Sequence, residues 1–187
     1  MAKSPGAPAA IVGALVALAA GAVTGVAAER RLVAEPMRVD QQLLAELGSL
    51  SGDLGTVRAV DGTELFIDVD TPAGFRPGRD LTIIFSHGYT LNSRTWHFQR
   101  AALRSVARLV FWDQRAHGRS GRGGPDSHTI DQLGLDLNSV IQQVAPTGPL
   151  LLVGHSMGGM TVMSLAAAQP ELFTERVIGV ALLGTSS

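Results

Sequence analysis

The chain has 187 residues, of which 45% are hydrophobic and 17% are charged, and its formal net charge at pH 7 is −1. This composition is typical of a folded protein with one sizeable core. Because no basic cluster accompanies the near-zero charge, we exclude nucleic acid as a partner. The chain has no cysteine and its five histidines lack metal-ligand spacing, so we expect neither disulfides nor a bound metal ion.

Residues 1–35 are predicted to form a membrane anchor or a signal segment. No charged residue occurs from Ser4 to Ala28, and Ile11 to Val26 is typical of an apolar helix. Such a segment is about long enough to cross a bilayer, which takes roughly 20 residues. We therefore expect a membrane-anchored protein, with the side of the membrane left open. The alternative is export by means of a signal peptide that is cleaved after Val26-Ala27-Ala28.

Residues 36–54 are interpreted as a linker, in which Pro36 to Leu47 could form a short amphipathic helix. Beyond the linker, two β-rich runs, Val57 to Val60 and Glu64 to Val69, flank the turn signal Asp61-Gly62. This order predicts a β-hairpin at the start of the folded domain.

The predicted domain spans residues 55–187, and after the hairpin it alternates between apolar runs and helical segments. The apolar runs contain no polar alternation, which is the pattern of strands buried on both faces of a parallel sheet. They are Leu81–Phe85, Leu109–Trp112, Leu150–Val153 and Val177–Leu183. The helical segments are Ser93–Leu103, Thr129–Val144 and Met157–Ala168. This alternation predicts a three-layer α/β fold, with a mostly parallel sheet, helices on both faces and ligands at the carboxyl ends of the strands.

The fifth predicted strand runs directly into Gly154-His155-Ser156-Met157-Gly158 and then into a helix. A sharp strand-to-helix turn projects a serine from the backbone, as a nucleophile requires. Gly154 and Gly158 would let neighbouring backbones pass closely, and the N–H of Met157 in the first helical turn could bind an oxyanion. The pattern predicts a nucleophilic Ser156, with a structural glycine-rich turn as the alternative.

Two further loops follow predicted strands. Ser86-His87-Gly88-Tyr89-Thr90 comes after the third strand, and Asp113-Gln114-Arg115-Ala116-His117-Gly118-Arg119-Ser120 comes after the fourth. Taken with the turn at Ser156, these loops resemble the α/β-hydrolase superfamily from about Val57 to Gly184. Ala116 is a departure, because the family pattern has glycine at that position.

The resemblance implies roles for individual residues. Tyr89 would supply a second backbone N–H to the oxyanion hole beside that of Met157, and His87 would organise its loop rather than act as a base. The supporting positions in these loops are Gly88, Gly154, His155 and Gly158. Among the histidines, we expect His117 and His155 to shape turns by hydrogen bonding, and His97 and His128 to lie at the surface.

A serine at the apex, rather than an aspartate, predicts acyl transfer to water through an acyl-serine, without a cofactor. The expected substrate is a small-molecule or lipid ester. Two alternatives stay open: a non-catalytic ligand-binding module on the same scaffold, and a cofactor-free perhydrolase resembling the bacterial haloperoxidases.

In this superfamily the triad acid and histidine follow the serine in the chain. After Leu183 the sequence is Gly184-Thr185-Ser186-Ser187, without a carboxylate or an imidazole side chain. We therefore expect the chain to be the amino-terminal portion of a longer hydrolase, truncated after the sixth strand and inactive or nearly so by itself. The sixth strand would then stand at an open edge of the sheet and promote aggregation.

Overall fold

The computed structural model describes residues 47–186. The predicted apolar helix, the anchor or signal segment and most of the predicted linker lie outside these residues. Within them, no helix has both the length and the apolar character needed to cross a membrane.

Six strands and four helices make up the described part of the chain. The strands are β1 (Asp53–Arg58), β2 (Glu64–Asp70), β3 (Thr82–Ser86), β4 (Arg108–Trp112), β5 (Leu150–His155) and β6 (Val177–Leu183). The helices are α1 (His97–Leu103), α2 (Ile130–Val144), α3 (Met157–Ala168) and α4 (Pro170–Glu175). Two 3₁₀ turns, Ser93–Trp96 and Pro125–Ser127, precede α1 and α2.

The strands form one sheet in the order β1-β2-β4-β3-β5-β6. β1 and β2 pair as the predicted antiparallel hairpin, and β2 also pairs antiparallel with β4. From β4 to β6 all neighbours are parallel, with β3 between β4 and β5. The mostly parallel sheet predicted from the sequence is therefore confirmed. β1 begins at Asp53, two residues before the predicted start of the domain.

Apolar layers cover both faces of the sheet. On one face, side chains such as Ile84 and Leu152 pack with Leu137 of α2 and Leu165 of α3. The opposite face carries a smaller cluster in which Ile83, Phe85 and Phe111 pack with Trp96, ahead of α1. Successive strand residues point to opposite faces, so every residue of β3 is buried. This burial explains why the central strands lack polar alternation.

β6 departs from the prediction of burial on both faces. It is an edge strand that pairs only with β5 within the described range, and residues along it alternate between half-buried and exposed. Ile178 is 68% exposed and Val180 is 42% exposed. The expected open edge is therefore present, and the burial inferred from the apolar run is wrong for this strand.

Candidate active site

Ser156 lies at the sharp turn between β5 and α3. Its backbone is at φ 51° and ψ −118°, a region that residues other than glycine adopt only under constraint. The surrounding chain supplies that constraint: the Ser156 N–H donates to the Leu183 carbonyl oxygen at 2.9 Å, and the Ser156 carbonyl oxygen accepts from the Gly159 N–H at 2.8 Å. The strand-to-helix turn predicted from the glycine-flanked serine is present.

The two glycines of the turn are required by close backbone approach. A Cβ at Gly154 would overlap the Gly158 carbonyl, and a Cβ at Gly158 would overlap the carbonyl oxygen of Ser86. A Cβ at Gly88 would lie 3.3 Å from Cβ of Ser156. The loop after β3 and the turn after β5 are therefore in contact, as the sequence predicted for two loops at the carboxyl edge of a parallel sheet.

The backbone N–H groups of Tyr89 and Met157 are unengaged, since neither donates a hydrogen bond to an acceptor among residues 47–186. Both residues line a cleft with a volume of about 630 Å³. In a trans peptide the N–H points away from the preceding carbonyl, so a bond that holds the carbonyl also orients the N–H. The Gly88 carbonyl is held by Nδ1 of His87 at 2.8 Å, and the Ser156 carbonyl by the turn itself. The two N–H groups are thus held in place beside the cleft.

His87 is fully buried and both of its ring nitrogens are engaged. Nε2 lies 3.0 Å from the Gln114 backbone N–H, which can only donate, so Nε2 is the acceptor. Nδ1 therefore carries the proton and donates to the Gly88 carbonyl oxygen. Burial lowers the pKa of His87, so the ring is neutral. Because the lone pair of Nε2 already accepts a hydrogen bond, His87 is not available as a base. Its ring instead helps to fix the shape of the loop after β3.

The remaining histidines lie in different surroundings. Nδ1 of His117 donates to the Arg115 carbonyl oxygen at 2.9 Å, in agreement with a turn-shaping role. His155 packs its ring against Gly88. His128 is exposed, as expected, and bonds to the Arg122 carbonyl oxygen.

The surface position expected for His97 is wrong. His97 is only 3% exposed, and its Nδ1 accepts a hydrogen bond of 3.3 Å from the Gly48 N–H. The burial arises because the chain before β1 passes over the start of α1. Among residues 47–186, its Nε2 has no hydrogen-bond partner.

The loop after β4 is organised by a buried carboxylate. Asp113 accepts hydrogen bonds from the backbone N–H groups of Ser93 at 2.7 Å and Arg119 at 2.8 Å. Ala116 in this loop has φ 60°, the left-handed region that favours glycine. The departure from the family pattern therefore falls on a position whose backbone suits glycine.

Arg115 joins this loop to the hairpin and to α2. Its buried guanidinium makes two 2.6 Å hydrogen bonds to Asp136 and one of 2.9 Å to Asp61. The hydrogen bond from Arg115 lowers the pKa of Asp61 to about 2. Because Arg115 also lines the cleft, this ion-pair cluster fixes one wall of the site.

Sequence reasoning missed three polar residues that support the site. Gln114 and Thr161 are fully buried and hydrogen-bonded to each other at 2.7 Å, and the Thr185 hydroxyl bonds to the Ser156 carbonyl oxygen. Such pairs are distant in the chain and leave no local pattern. Among the described residues, no cluster of three or more histidine, aspartate or glutamate side chains could hold a metal ion.

The model of the alpha/beta hydrolase family matches residues 83–186, more than half of the chain. The chain is 28% identical over 123 residues to a monoacylglycerol lipase of Mycolicibacterium smegmatis, in a match that covers 64% of this chain and 43% of the relative. It is 38% identical over 100 residues to lipase LipV of Mycobacterium tuberculosis, covering 54% of this chain and 35% of the relative.

Among solved structures, the chain is similar to the esterase RhEst1 of Rhodococcus sp. ECU1013, with 27% identity and a TM-score of 0.59. That match covers 71% of this chain and 46% of the esterase. The chain spans less than half the length of each of these three proteins. The sheet order, the turn at Ser156 and the family match agree, and the chain belongs to the α/β hydrolase family.

Proposed function

We propose that this protein is a serine hydrolase of esters, in which Ser156 is the nucleophile. The observation that carries the proposal is the constrained backbone of Ser156, which lies against Gly88. The residues that follow these two in the chain, Tyr89 and Met157, have unengaged N–H groups and line the same cleft. The lipases and the esterase to which the chain is similar support ester hydrolysis as the reaction class.

In the proposed reaction, Oγ of Ser156 attacks the acyl carbon of the ester and the carbonyl oxygen becomes negatively charged. The N–H groups of Tyr89 and Met157 bind that oxygen, each contributing on the order of 10²-fold to the rate. The bond to the alcohol oxygen then breaks, and the alcohol leaves with the proton that Ser156 lost to a base. Water hydrolyses the acyl-serine, releasing the carboxylic acid and restoring the hydroxyl.

No residue of this chain is assigned as that base. His87 is excluded because its Nε2 accepts from a backbone N–H and its Nδ1 donates to a carbonyl. Within residues 47–186, the hydrogen bonds of Ser156 are made by its backbone N–H and its backbone carbonyl oxygen. The proposal therefore concerns the nucleophile and the oxyanion donors, and its test uses the complete product of the gene.

The cleft supports an ester of moderate size as substrate. Its volume of about 630 Å³ lies in the ordinary range for small-molecule sites, roughly 300–1,000 Å³. Leu91, Leu133 and Met157 contribute apolar surface, and His117 contributes a polar group. This mixture suits an acyl chain attached to a polar alcohol.

Labelling with a fluorophosphonate tests the proposal, because its phosphorus reacts with activated serines. We expect the complete gene product to be labelled and Ser156→Ala to abolish both labelling and ester turnover. Ser139→Ala is a matched control, because the Ser139 hydroxyl bonds within α2 to the Leu135 carbonyl oxygen. Labelling that persists in Ser156→Ala would contradict the proposal. A folded wild-type protein that binds esters without labelling would support the alternative of a binding module.

Membrane attachment forms a separate proposal that rests on the sequence of residues 11–26. Deletion of residues 1–35 should release the protein from the membrane fraction. A mature protein whose amino terminus follows Ala28 would support the signal-peptide alternative.

A further inference from the structure

Three of the hydrogen bonds that Gln114 makes join it to His87 and Thr161, in the interior next to the proposed oxyanion hole. Its backbone N–H donates to Nε2 of His87, and its side-chain amide donates to the His87 carbonyl oxygen. Its side-chain oxygen accepts from the Thr161 hydroxyl at 2.7 Å. Gln114, His87 and Thr161 are all fully buried, so these bonds are shielded from water.

The two N–H groups of Gln114 control the peptide planes on both sides of Gly88. The side-chain amide holds the carbonyl of the His87–Gly88 peptide directly. The backbone N–H holds the His87 ring, whose Nδ1 then holds the carbonyl of the Gly88–Tyr89 peptide. The Leu91 N–H also donates to this carbonyl, at 3.2 Å. Since the second peptide carries the Tyr89 N–H, Gln114 contributes to the direction of that N–H through His87.

Thr161 extends the same network to Met157, the residue that carries the other proposed donor N–H. It contacts the carbonyl of the Met157–Gly158 peptide, which follows the donor N–H in the chain. Its hydroxyl, one turn into α3, lies 2.9 Å from the Met157 carbonyl oxygen as well as 2.7 Å from the side-chain oxygen of Gln114. The first turn of α3 is thereby joined to the loop after β3 through one buried amide. No other side chain of the described residues bonds to both the His87 carbonyl and Thr161.

We propose that Gln114 and Thr161 are positioning residues that set the separation of the Tyr89 and Met157 N–H groups, and so the fit of the site to a tetrahedral oxyanion. The inference rests on the proposed function and extends it. Transition-state stabilisation requires donors at a fixed spacing, and a displacement of about 1 Å can cost 10²-fold in rate. Ground-state binding in the cleft depends much less on this spacing.

The test compares Thr161→Val with Thr161→Ser in the complete gene product. Valine keeps the volume but loses the donor, whereas serine keeps the donor and loses a methyl group. We expect Thr161→Val to lower kcat for a p-nitrophenyl ester by about tenfold or more with KM within about twofold, while Thr161→Ser keeps most of the activity. The affinity for an alkyl boronic acid, whose serine adduct mimics the oxyanion, should fall in parallel with kcat.

Active-site titration normalises kcat to folded protein, so a loss of stability does not imitate the effect. Gln114→Glu provides a second variant, because it keeps the backbone N–H to His87 but replaces the amide donor by an acceptor that faces the His87 carbonyl. It should lower kcat and boronic acid affinity in the same way. The control Ser139→Ala removes another buried hydroxyl and should change neither.

The outcomes separate the two proposals. If wild-type protein is labelled at Ser156 but Thr161→Val and Gln114→Glu keep wild-type kcat and boronic acid affinity, the positioning role is overturned and the hydrolase stands. Equal losses in Thr161→Val and Thr161→Ser would also overturn it, since they indicate a packing role. If folded wild-type protein shows neither labelling nor turnover, the proposed function fails, and the inference fails with it.

Discussion

The hydroxyl of Thr185 donates a 2.8 Å hydrogen bond to the carbonyl oxygen of Ser156. The same oxygen accepts from the Gly159 N–H at 2.8 Å and from the Met160 N–H at 3.3 Å, so three donors hold one peptide at the turn. This peptide also carries the N–H of Met157, which points away from the held oxygen. The segment after β6 therefore supports both the strained backbone of the proposed nucleophile and one oxyanion donor.

Thr185→Val should weaken this support, because valine has the same shape without the hydroxyl. We expect a loss of about 1 kcal/mol in the free energy of unfolding, the usual net value of a neutral hydrogen bond. Fluorophosphonate labelling of Ser156 should slow by about tenfold as the donor peptide loosens. The control is Thr174→Val, since the Thr174 hydroxyl bonds to the Glu171 carbonyl oxygen in α4. Equal labelling rates in the two variants would show that the Thr185 bond does not hold the site.

Ala116→Gly should stabilise the protein. Alanine at φ 60° lies in the left-handed region, which costs about 1–2 kcal/mol of conformational free energy because of its Cβ. Glycine has no Cβ and does not carry this cost. Glycine loses more chain entropy on folding, so we expect a net gain of about 0.5–1 kcal/mol in chemical denaturation. Ala167→Gly in α3 is the matched control and should destabilise the protein by up to about 1 kcal/mol. A destabilised Ala116→Gly would mean that the strain at this position is compensated elsewhere in the loop.

The predictable parts of the fold are those that local chemistry dictates. Neighbouring residues such as Ile83 and Ile84 pack on opposite faces, so a strand covered on both sides has to be apolar throughout. At the turn, Gly154 and Gly158 mark close backbone contacts that a Cβ would prevent. Such patterns can be recognised in a single sequence because each depends on only a few neighbouring residues.

The parts that escaped prediction depend on long-range contacts. Gln114 and Thr161 are 47 residues apart, and no sequence motif predicts the buried hydrogen bond between them. His97 is buried by the chain near Gly48, which no periodicity of α1 reveals. The six-residue helix α4 is too short to develop a helical pattern of its own.

The exposed apolar edge at β6 predicts self-association of the 187-residue chain. Ile178 and Val180 present apolar side chains on a strand whose outer edge pairs with no other described strand, a combination that promotes edge-to-edge pairing. Replacing both by lysine should shift the chain toward monomer in light scattering coupled to size-exclusion chromatography. Val60→Lys is the control, since Val60 is 87% exposed but lies in the hairpin turn. A wild-type chain that stays monomeric at high concentration would contradict the prediction.

The buried ring of His87 should make stability depend on pH. Burial lowers the pKa of His87 below the ordinary value of 6.5. As the pH falls below about 6.5, the unfolded chain therefore binds a proton on this ring more readily than the folded chain does. Stability is then fully present above about pH 6.5 and falls as the pH decreases below that value. The bonded network adds to the effect, because protonation of Nε2 would displace the Gln114 N–H.

His87→Gln removes the titrating ring and should flatten this part of the pH profile. We expect the difference in unfolding free energy between wild type and His87→Gln to shrink as the pH falls from about 6.5 to 5, because only the wild type carries the penalty. Nitrogen-15 NMR of the wild-type ring checks the cause, since the proton should reside on Nδ1, with Nε2 unprotonated. Parallel pH profiles for the two proteins, or a ring protonated on Nε2 at neutral pH, would overturn the assignment of His87 as a neutral organiser of the Gly88 loop.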